Sequence, residues 1–274
     1  MTLDRRLLAP VRPELVWFTG PDAIRFLNDL ISQEIGTAAV GEVRRTLLLT
    51  PQGKIDFVLW ALRGDDRVGL LTEDGRGEEL ISRLSRYRIR VDVEIEMESQ
   101  PVALVLGGIE APDRGWISTG DGLRADVSWP DLPRMLVVGA VPDLPVMSTD
   151  DYTVARIEAG EPLVGVDVDD GTIPQETGLV PETISFDKGC FLGQELAARL
   201  DSRGGRVNHH LRVLRFDGEA AAVGSEVVKD GETVGTLSSA SGKLGMARLR
   251  RGVEAGDMVT AGGEPALVIT SAVV

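Results

Sequence analysis

The chain has 274 residues, ample for a sizeable core in one large domain or two to three small ones, and its 43% hydrophobic and 26% charged residues are those of an ordinary soluble globular protein. A formal net charge of -14 argues against broad, sequence-independent binding to nucleic acid or anionic lipid, since both partners are polyanions. No apolar run approaches the roughly 18–20 residues of a membrane span, the two leucines near the start are too short for a signal-peptide core, and one cysteine excludes an internal disulfide or a thiolate-built zinc site, so a cytoplasmic protein is expected.

In chain order, a short polar lead is followed by Gly20-Pro21-Asp22, which opens a helix with Ala23, Ile24, Phe26, Leu27, Leu30 and Ile31 on one face. Arg45 to Thr50 and Ile55 to Leu62 read as strands joined by Pro51-Gln52-Gly53-Lys54, and a third follows at Val68 to Thr72, giving a β-meander. Glu78 to Tyr87 has the apolar stripe of a helix and leads into an alternating strand from Val91 to Met97. Val102 to Leu106 and Met135 to Val138 are further strands, with the Gly- and Asp-rich stretch 107–133 expected to be loosely structured. Antiparallel strands interleaved with single helices indicate α+β organisation. Ser148 to Asp151 caps a helix from Tyr152 to Ala159, which ends at Gly160, and residues 161–184 read as ordered but irregular, the kind of segment that carries binding residues.

From Leu211 the pattern changes to short strands at 211–216, 226–228, 233–237, 245–249, 258–260 and 266–270, with Asp230-Gly231 as a hairpin signal. Helical periodicity is absent there, so a separate small β-barrel or sandwich is expected, with its boundary near residue 210. Neither a dinucleotide fingerprint nor a P-loop occurs. His209 and His210 would point to opposite faces of a strand, a poor metal pair, and no metal site is expected.

The chemistry concentrates at Lys188-Gly189-Cys190-Phe191-Leu192-Gly193-Gln194-Glu195, followed by a short amphipathic helix through Leu200. A thiol near a lysine and a helix N-terminus has its thiolate favoured, and Gly189 and Gly193 would allow positive φ or close approach of a ligand. The same residues also suit a tight turn around a small buried thiol. Downstream, Arg199, Arg203, Arg206, Arg212 and Arg215 stand against Asp201 alone, either a solvated surface or an anion site.

The K-G-C-F-L-G-Q-E run resembles the signature of the YgfZ family, folate-binding proteins related to the T-protein (aminomethyltransferase) of glycine cleavage. The resemblance extends to Arg156-x-Glu158-x-Gly160-x-Pro162-x-x-Gly165, to Pro174-Gln175-Glu176, to Gly20-x-Asp22-Ala23 through Phe26-Leu27, and to Pro51-x-Gly53-Lys54, and so covers nearly the whole chain. It implies a three-lobed ring: two α+β lobes within residues 1–210, the middle one at about 46–148 and the first built from both flanks, and an antiparallel β-barrel at 211–274.

The resemblance also implies a tetrahydrofolate-binding accessory factor in iron–sulfur cluster assembly or repair, affecting cluster enzymes that include tRNA-modifying ones. Its partners would be the folate and iron–sulfur proteins or cluster carriers, without direct nucleic-acid or membrane contact. Cys190 would be the working thiol with Lys188 beside it, Glu158 the carboxylate for the pteridine, Gly189, Gly193, Gln194 and Glu195 the rest of the pocket, and Arg199 and Arg203 the partners of the glutamyl tail. By the residues alone Glu158 fits equally an ion pair with Arg156 or a solvated helix end. T-proteins carry an acid on the strand after the P-x-G turn; Asp56 is offset there by a residue, which reverses its face and disfavours an aminomethyltransferase. The alternatives are that transferase and a scaffold that no longer binds folate.

Overall fold

The computed structural model describes residues 6–269, so Thr270, the expected last residue of the final strand, and the rest of the barrel's expected end at 274 lie outside the described residues. The two-residue strand β1 (Leu7–Leu8) and β2 (Glu14–Thr19) precede helix α1 (Ala23–Asn28). The expected meander is β3 (Val43–Leu49), β4 (Ile55–Arg63) and β5 (Arg67–Thr72), followed by α2 (Gly77–Ser85) and β6 (Glu94–Met97). A first antiparallel sheet runs β3-β4-β5-β2-β6. Next come β7 (Val102–Leu106), β8 (Trp116–Thr119), β9 (Gly122–Asp126) and β10 (Arg134–Val138), which with β1 make a second sheet in the order β1-β7-β10-β9-β8.

The two sheets face each other. Leu15, Trp17, Leu47, Val58 and Leu71 from the first share one core with Leu104, Leu123, Val127 and Leu136 from the second. On its other face the first sheet carries both helices: Phe26, Leu27, Leu80 and Leu84 pack on Val16, Phe18, Phe57 and Leu59. This double coverage explains β2, which the sequence reading passed over as polar lead. Successive residues of Leu15-Val16-Trp17-Phe18 are buried on alternate faces, so the run lacks the polar alternation of a one-sided strand. The stretch 107–133 is likewise more ordered than expected, because β8 and β9 pair as a hairpin with most of β8 exposed. The sheets also divide the chain otherwise than at 46 and 148: residues 14–97 supply the first, and residues 7–8 with 102–138 supply the second.

Helix α3 (Thr149–Glu158) starts as expected on Ser148, whose Oγ accepts from Asp151 N–H at 3.1 Å. The irregular segment that follows contains a 3-10 turn at Pro174–Glu176 and the short α4 (Val180–Thr183), and α5 (Gln194–Asp201) follows the cysteine turn. The C-terminal strands β11 (His209–Phe216), β12 (Glu226–Lys229), β13 (Glu232–Ser241), β14 (Leu244–Arg250), β15 (Met258–Ala261) and β16 (Glu264–Ile269) close into a six-stranded antiparallel barrel. The Asp230-Gly231 turn joins β12 to β13 as expected.

The barrel is keyed to the rest through α3. Ile157 packs with Leu211, Val213, Leu244 and Met246. The buried Arg156 donates to Asp167 Oδ2 at 2.9 Å and to Ser239 Oγ at 2.6 Å on β13. The fully buried Asp167 carboxylate also accepts from Ser238 Oγ, Ser239 Oγ and Leu163 N–H, so the charge pair sits in a satisfied network. Glu176 adds a second link, to Arg248 at 3.1 Å.

Candidate functional site

The cysteine turn is tied down on every side except at its thiol. Ser185 N–H donates to Ser32 O at 3.0 Å, and Ser32 Oγ donates back to Thr183 O at 2.6 Å. Lys188 Nζ donates to the carbonyls of Asn28, Ile31 and Gln33 at 2.5, 2.8 and 3.1 Å, so all three ammonium protons go to the chain end of α1 and the loop beyond it. Burial pushes Lys188 down to about 8, with Glu34 and Asp29 acting the other way. The expected pairing of this amine with the thiol gives way to a structural clamp, since an ammonium with three acceptors has no donor left over. Phe191 is buried in the common core and lies 5.3 Å from Lys188 Nζ. Cys190 itself is free and exposed, which rules against a packed, inert thiol.

Gly193 opens α5 at φ +76°, where an added Cβ would sit 2.3 Å from Thr50 O and 2.8 Å from Leu49 Cβ. Gly53, at φ +77°, meets it from the other side, its Cβ position lying 3.0 Å from Gly193 O and 2.8 Å from Leu196 Cβ. The two separate motifs, P-x-G-K and K-G-C-F-L-G-Q-E, are therefore halves of one backbone-to-backbone contact, and the close approach is to protein. Gly189 has open space around it. Gln194 Oε1 accepts from Phe191 N–H at 3.1 Å and so shapes the turn, and Glu195 is exposed in the first turn of α5.

The remaining sequence candidates are spread out. Glu158 is exposed at the end of α3, and its expected neighbour Arg156 is engaged by Asp167. Arg199, Arg203, Arg206 and Arg215 are exposed, whereas Arg212 pairs with Glu254 at 3.0 Å in the barrel. Asp56 pairs with Arg83 of α2 at 3.2 Å. His209 lies 3.6 Å from Glu176, and among the described residues no group of His, Cys, Asp and Glu could hold a metal ion.

Sequence reasoning missed the cavity between the two sheets. It measures about 300 Å³ and is lined by Val58, Trp60, Leu71, Tyr152 and Leu163 among apolar residues, and by Thr72, Glu73, Arg134, Arg156 and Glu161 among polar ones. Arg134 and Glu161 form a buried two-pronged pair, 2.9 Å at each prong, and Arg134 Nη1 also donates to Tyr152 Oη at 3.2 Å. Two polar atoms of the lining are buried without a partner: Thr72 Oγ1 and Arg134 Nε. Glu73 is nearly alone as well, with Oε1 accepting only Val164 N–H at 3.3 Å. Burial pushes this carboxyl up to about 7, reinforced by Glu161 and opposed by the Val164 bond, Arg76 and Arg156. Its folded form thus holds a proton that the unfolded chain releases near 4.5; that contribution to stability is full below 4.5 and is lost as pH rises through about 7.

A second cleft, of about 490 Å³, shares Trp60 and is walled by Arg44, Arg45, Arg114 and Trp129. Arg45 stacks on Trp129 at 3.9 Å, and burial lowers it to about 10. Glu42, Asp113, Asp126 and Glu182 stand in the same wall and offset the arginines.

Comparison with known proteins places this geometry. Residues 210–272 match the CAF17 C-terminal beta-barrel domain. The human mitochondrial iron-sulfur cluster assembly factor IBA57 is 28% identical over 278 residues, covering 90% of this chain and 76% of that protein. The tRNA-modifying protein YgfZ of an Enterobacter species is 25% identical over 217 residues, covering 69% of this chain and 66% of its own. The crystal structure of glycine cleavage system aminomethyltransferase T from Bartonella henselae superposes with a TM-score of 0.81 at 17% identity, covering all of this chain and 87% of that one.

The chain is similar in sequence to IBA57 and YgfZ proteins and shares the fold of a T-protein. The T-protein fold, α+β with a closed C-terminal barrel, is the expected one. Among the described residues no helix is long and apolar enough to cross a membrane. The structure separates its two notable features: an exposed thiol on a tethered turn, and an inter-sheet cavity with buried polar groups lacking partners.

Proposed function

We propose that the chain is a tetrahydrofolate-binding accessory factor in the assembly or repair of iron–sulfur clusters, with the folate ring in the inter-sheet cavity and Cys190 as the working thiol. One observation carries this: the cavity between the sheets is mostly apolar yet has Thr72, Glu73 and Arg134 in its lining, an arrangement that suits a polar heterocycle. Its volume is at the lower end of small-molecule sites and adequate for a two-ring head group. Trp60, Leu71 and Leu163 would flank the ring, and the Arg134–Glu161 pair would hold the wall rigid. Bound there, a reduced folate would supply a carrier for a one-carbon unit.

Cys190 is suited to act in passing. A cluster needs about four protein ligands and this chain offers one exposed thiol, so the thiol would be shared with a client or react with it transiently. The names of the relatives, IBA57 as a cluster assembly factor and YgfZ as a tRNA-modifying protein, support that context. An aminomethyltransferase would want a carboxylate from β4 facing the cavity; that strand gives Val58 and Trp60, while Asp56 is held by Arg83.

Wild type and Cys190→Ser are expected to bind tetrahydrofolate equally in calorimetry, because the thiol lines no part of the cavity. Cys190→Ser is expected to fail to restore iron–sulfur enzyme activity in cells lacking this protein. Full rescue by the serine variant would remove the thiol from the account, and absence of folate binding by either protein would leave a scaffold.

A further inference from the structure

The far end of α2 carries a surface that neither the cavity nor the thiol uses. Helix α2 ends at Ser85, and Arg86-Tyr87-Arg88-Ile89-Arg90 then runs exposed at every position before Val93 returns to the core shared by α1 and α2. The stretch is held in one shape. Tyr87 N–H donates to Leu84 O at 3.0 Å, Arg88 N–H to Ser85 O at 3.2 Å and Ile89 N–H to Tyr87 O at 2.8 Å, with the buried Leu84 and Val93 pinning its two ends. Ile89 is 73% exposed, the highest value among the described large apolar residues. Among the described residues the side chains of Arg86, Arg88 and Arg90 make no hydrogen bond, ion pair or ring contact. In a chain with 43 acidic side chains against 29 lysines and arginines a carboxylate is easily found, so three unpaired guanidinium groups in one short run are left for a partner outside the chain. Arg90 also sits at φ +57°, a left-handed conformation that suits asparagine or glycine better than arginine. Nothing in the fold offsets that strain.

We propose that residues 86–90 form a docking surface for a second protein whose contact face sets carboxylates around an apolar pocket, with Ile89 entering the pocket and Arg86, Arg88 and Arg90 meeting the carboxylates. Tyrosine and arginine are among the side chains that carry most binding energy at protein interfaces, and guanidinium forks match carboxylates. The neighbouring charges decide against a longer polyanion. Glu78 and Glu79 on α2, and Asp92, Glu94 and Glu96 beyond the run, are all exposed, so a nucleic-acid strand or anionic membrane reaching past the arginines would meet like charge. A protein face can confine its carboxylates to the patch. The surface does not depend on the folate, since none of residues 86–90 lines the cavity.

The test is fluorescence anisotropy of the full chain with a short labelled peptide of alternating glutamate and leucine. Two control peptides carry glutamine for glutamate or serine for leucine, and a short single-stranded RNA and phosphatidylglycerol vesicles are tried beside them. Wild type is expected to bind the glutamate–leucine peptide about tenfold or more tightly than either control, and to weaken as salt rises from about 50 to about 300 mM. Arg88→Glu and Ile89→Ser are each expected to lose about tenfold or more while melting like the wild type, because both positions are exposed. Arg90→Asn is the sharper variant. It is expected to melt at a higher temperature, through relief of the left-handed strain, and yet to bind the peptide less tightly, a combination that a merely structural arginine would not give.

Equal binding of the peptide by wild type, Arg88→Glu and Ile89→Ser, or binding by none of them, would overturn the docking surface and leave the folate and the thiol untouched. A glutamine–leucine peptide bound as tightly as the acidic one would remove the arginines from it. RNA or vesicles bound more tightly than the peptide, with the same loss in Arg88→Glu, would replace the protein partner by a polyanion. A wild-type dimer in sedimentation that Ile89→Ser returns to monomer would make the occupant a second copy of this chain and overturn the acidic partner.

Discussion

Arg134→Met is expected to destabilise the chain by roughly 3–5 kcal/mol, the cost of leaving a buried carboxylate without its partner. Arg134 is 2% exposed and Glu161 is 8% exposed, so neither charge can turn to solvent when the other is lost. Burial opposes the charge on Arg134, but the Glu161 carboxylate outweighs it and holds the guanidinium proton more tightly than usual, with Tyr152 adding to the effect. The substitution removes two bonds of 2.9 Å to Glu161, one of 3.2 Å to Tyr152 and the stacking on Trp60 at 5.3 Å. Urea denaturation of Arg134→Met, Glu161→Gln and the double variant measures this directly. The double variant should recover most of the loss, because with both charges gone nothing charged is left buried. A single-variant cost below about 1 kcal/mol would mean that water enters and solvates Glu161, and the cavity wall would then be far looser than described.

Gly193→Ala is expected to cost at least about 3 kcal/mol, combining the left-handed backbone penalty with overpacking against a backbone carbonyl. Thr50 O at 2.3 Å from the added carbon belongs to a strand end that cannot retreat like a flexible side chain, and Gly53 blocks the other direction. Gly189→Ala is the internal control: nothing lies within 4 Å of its Cβ position, so a change within about 0.5 kcal/mol is expected. Thermal and urea melts of the two variants check both. If Gly193→Ala were as mild as Gly189→Ala, the contact between the two glycine motifs would not hold the cysteine turn in place.

The sequence carried local structure well and convergence poorly. The Ser148 cap, helix α5, the meander and the six barrel strands each depend on neighbours within a few residues, and periodicity and turn chemistry found them. Strand β2 escaped because burial on both faces erases alternation, and β8 escaped because it is only four residues long and mostly exposed within a Gly- and Asp-rich stretch.

At the site, K-G-C-F-L-G-Q-E drew attention to Cys190, which the structure leaves exposed. It misdirected the roles around it, since Lys188 reaches past Cys190 to carbonyls at 28, 31 and 33 that are more than 150 residues away in sequence. The cavity groups come from residues 72–73, 134, 152 and 161, which no local pattern links. One clue was available: Arg134 stands directly against the apolar run Met135 to Val138, and a charge at the edge of a core strand calls for a buried partner.

In the proposed function the folate ring and the thiol occupy different places. Amide hydrogen exchange of the full chain, with and without saturating tetrahydrofolate, tests it most directly. Protection is predicted in peptides covering residues 71–74 and 161–166, which line the cavity, with little change across residues 186–206. Protection confined to 186–206, with the cavity peptides unchanged, would put the ligand at the cysteine turn and contradict the account.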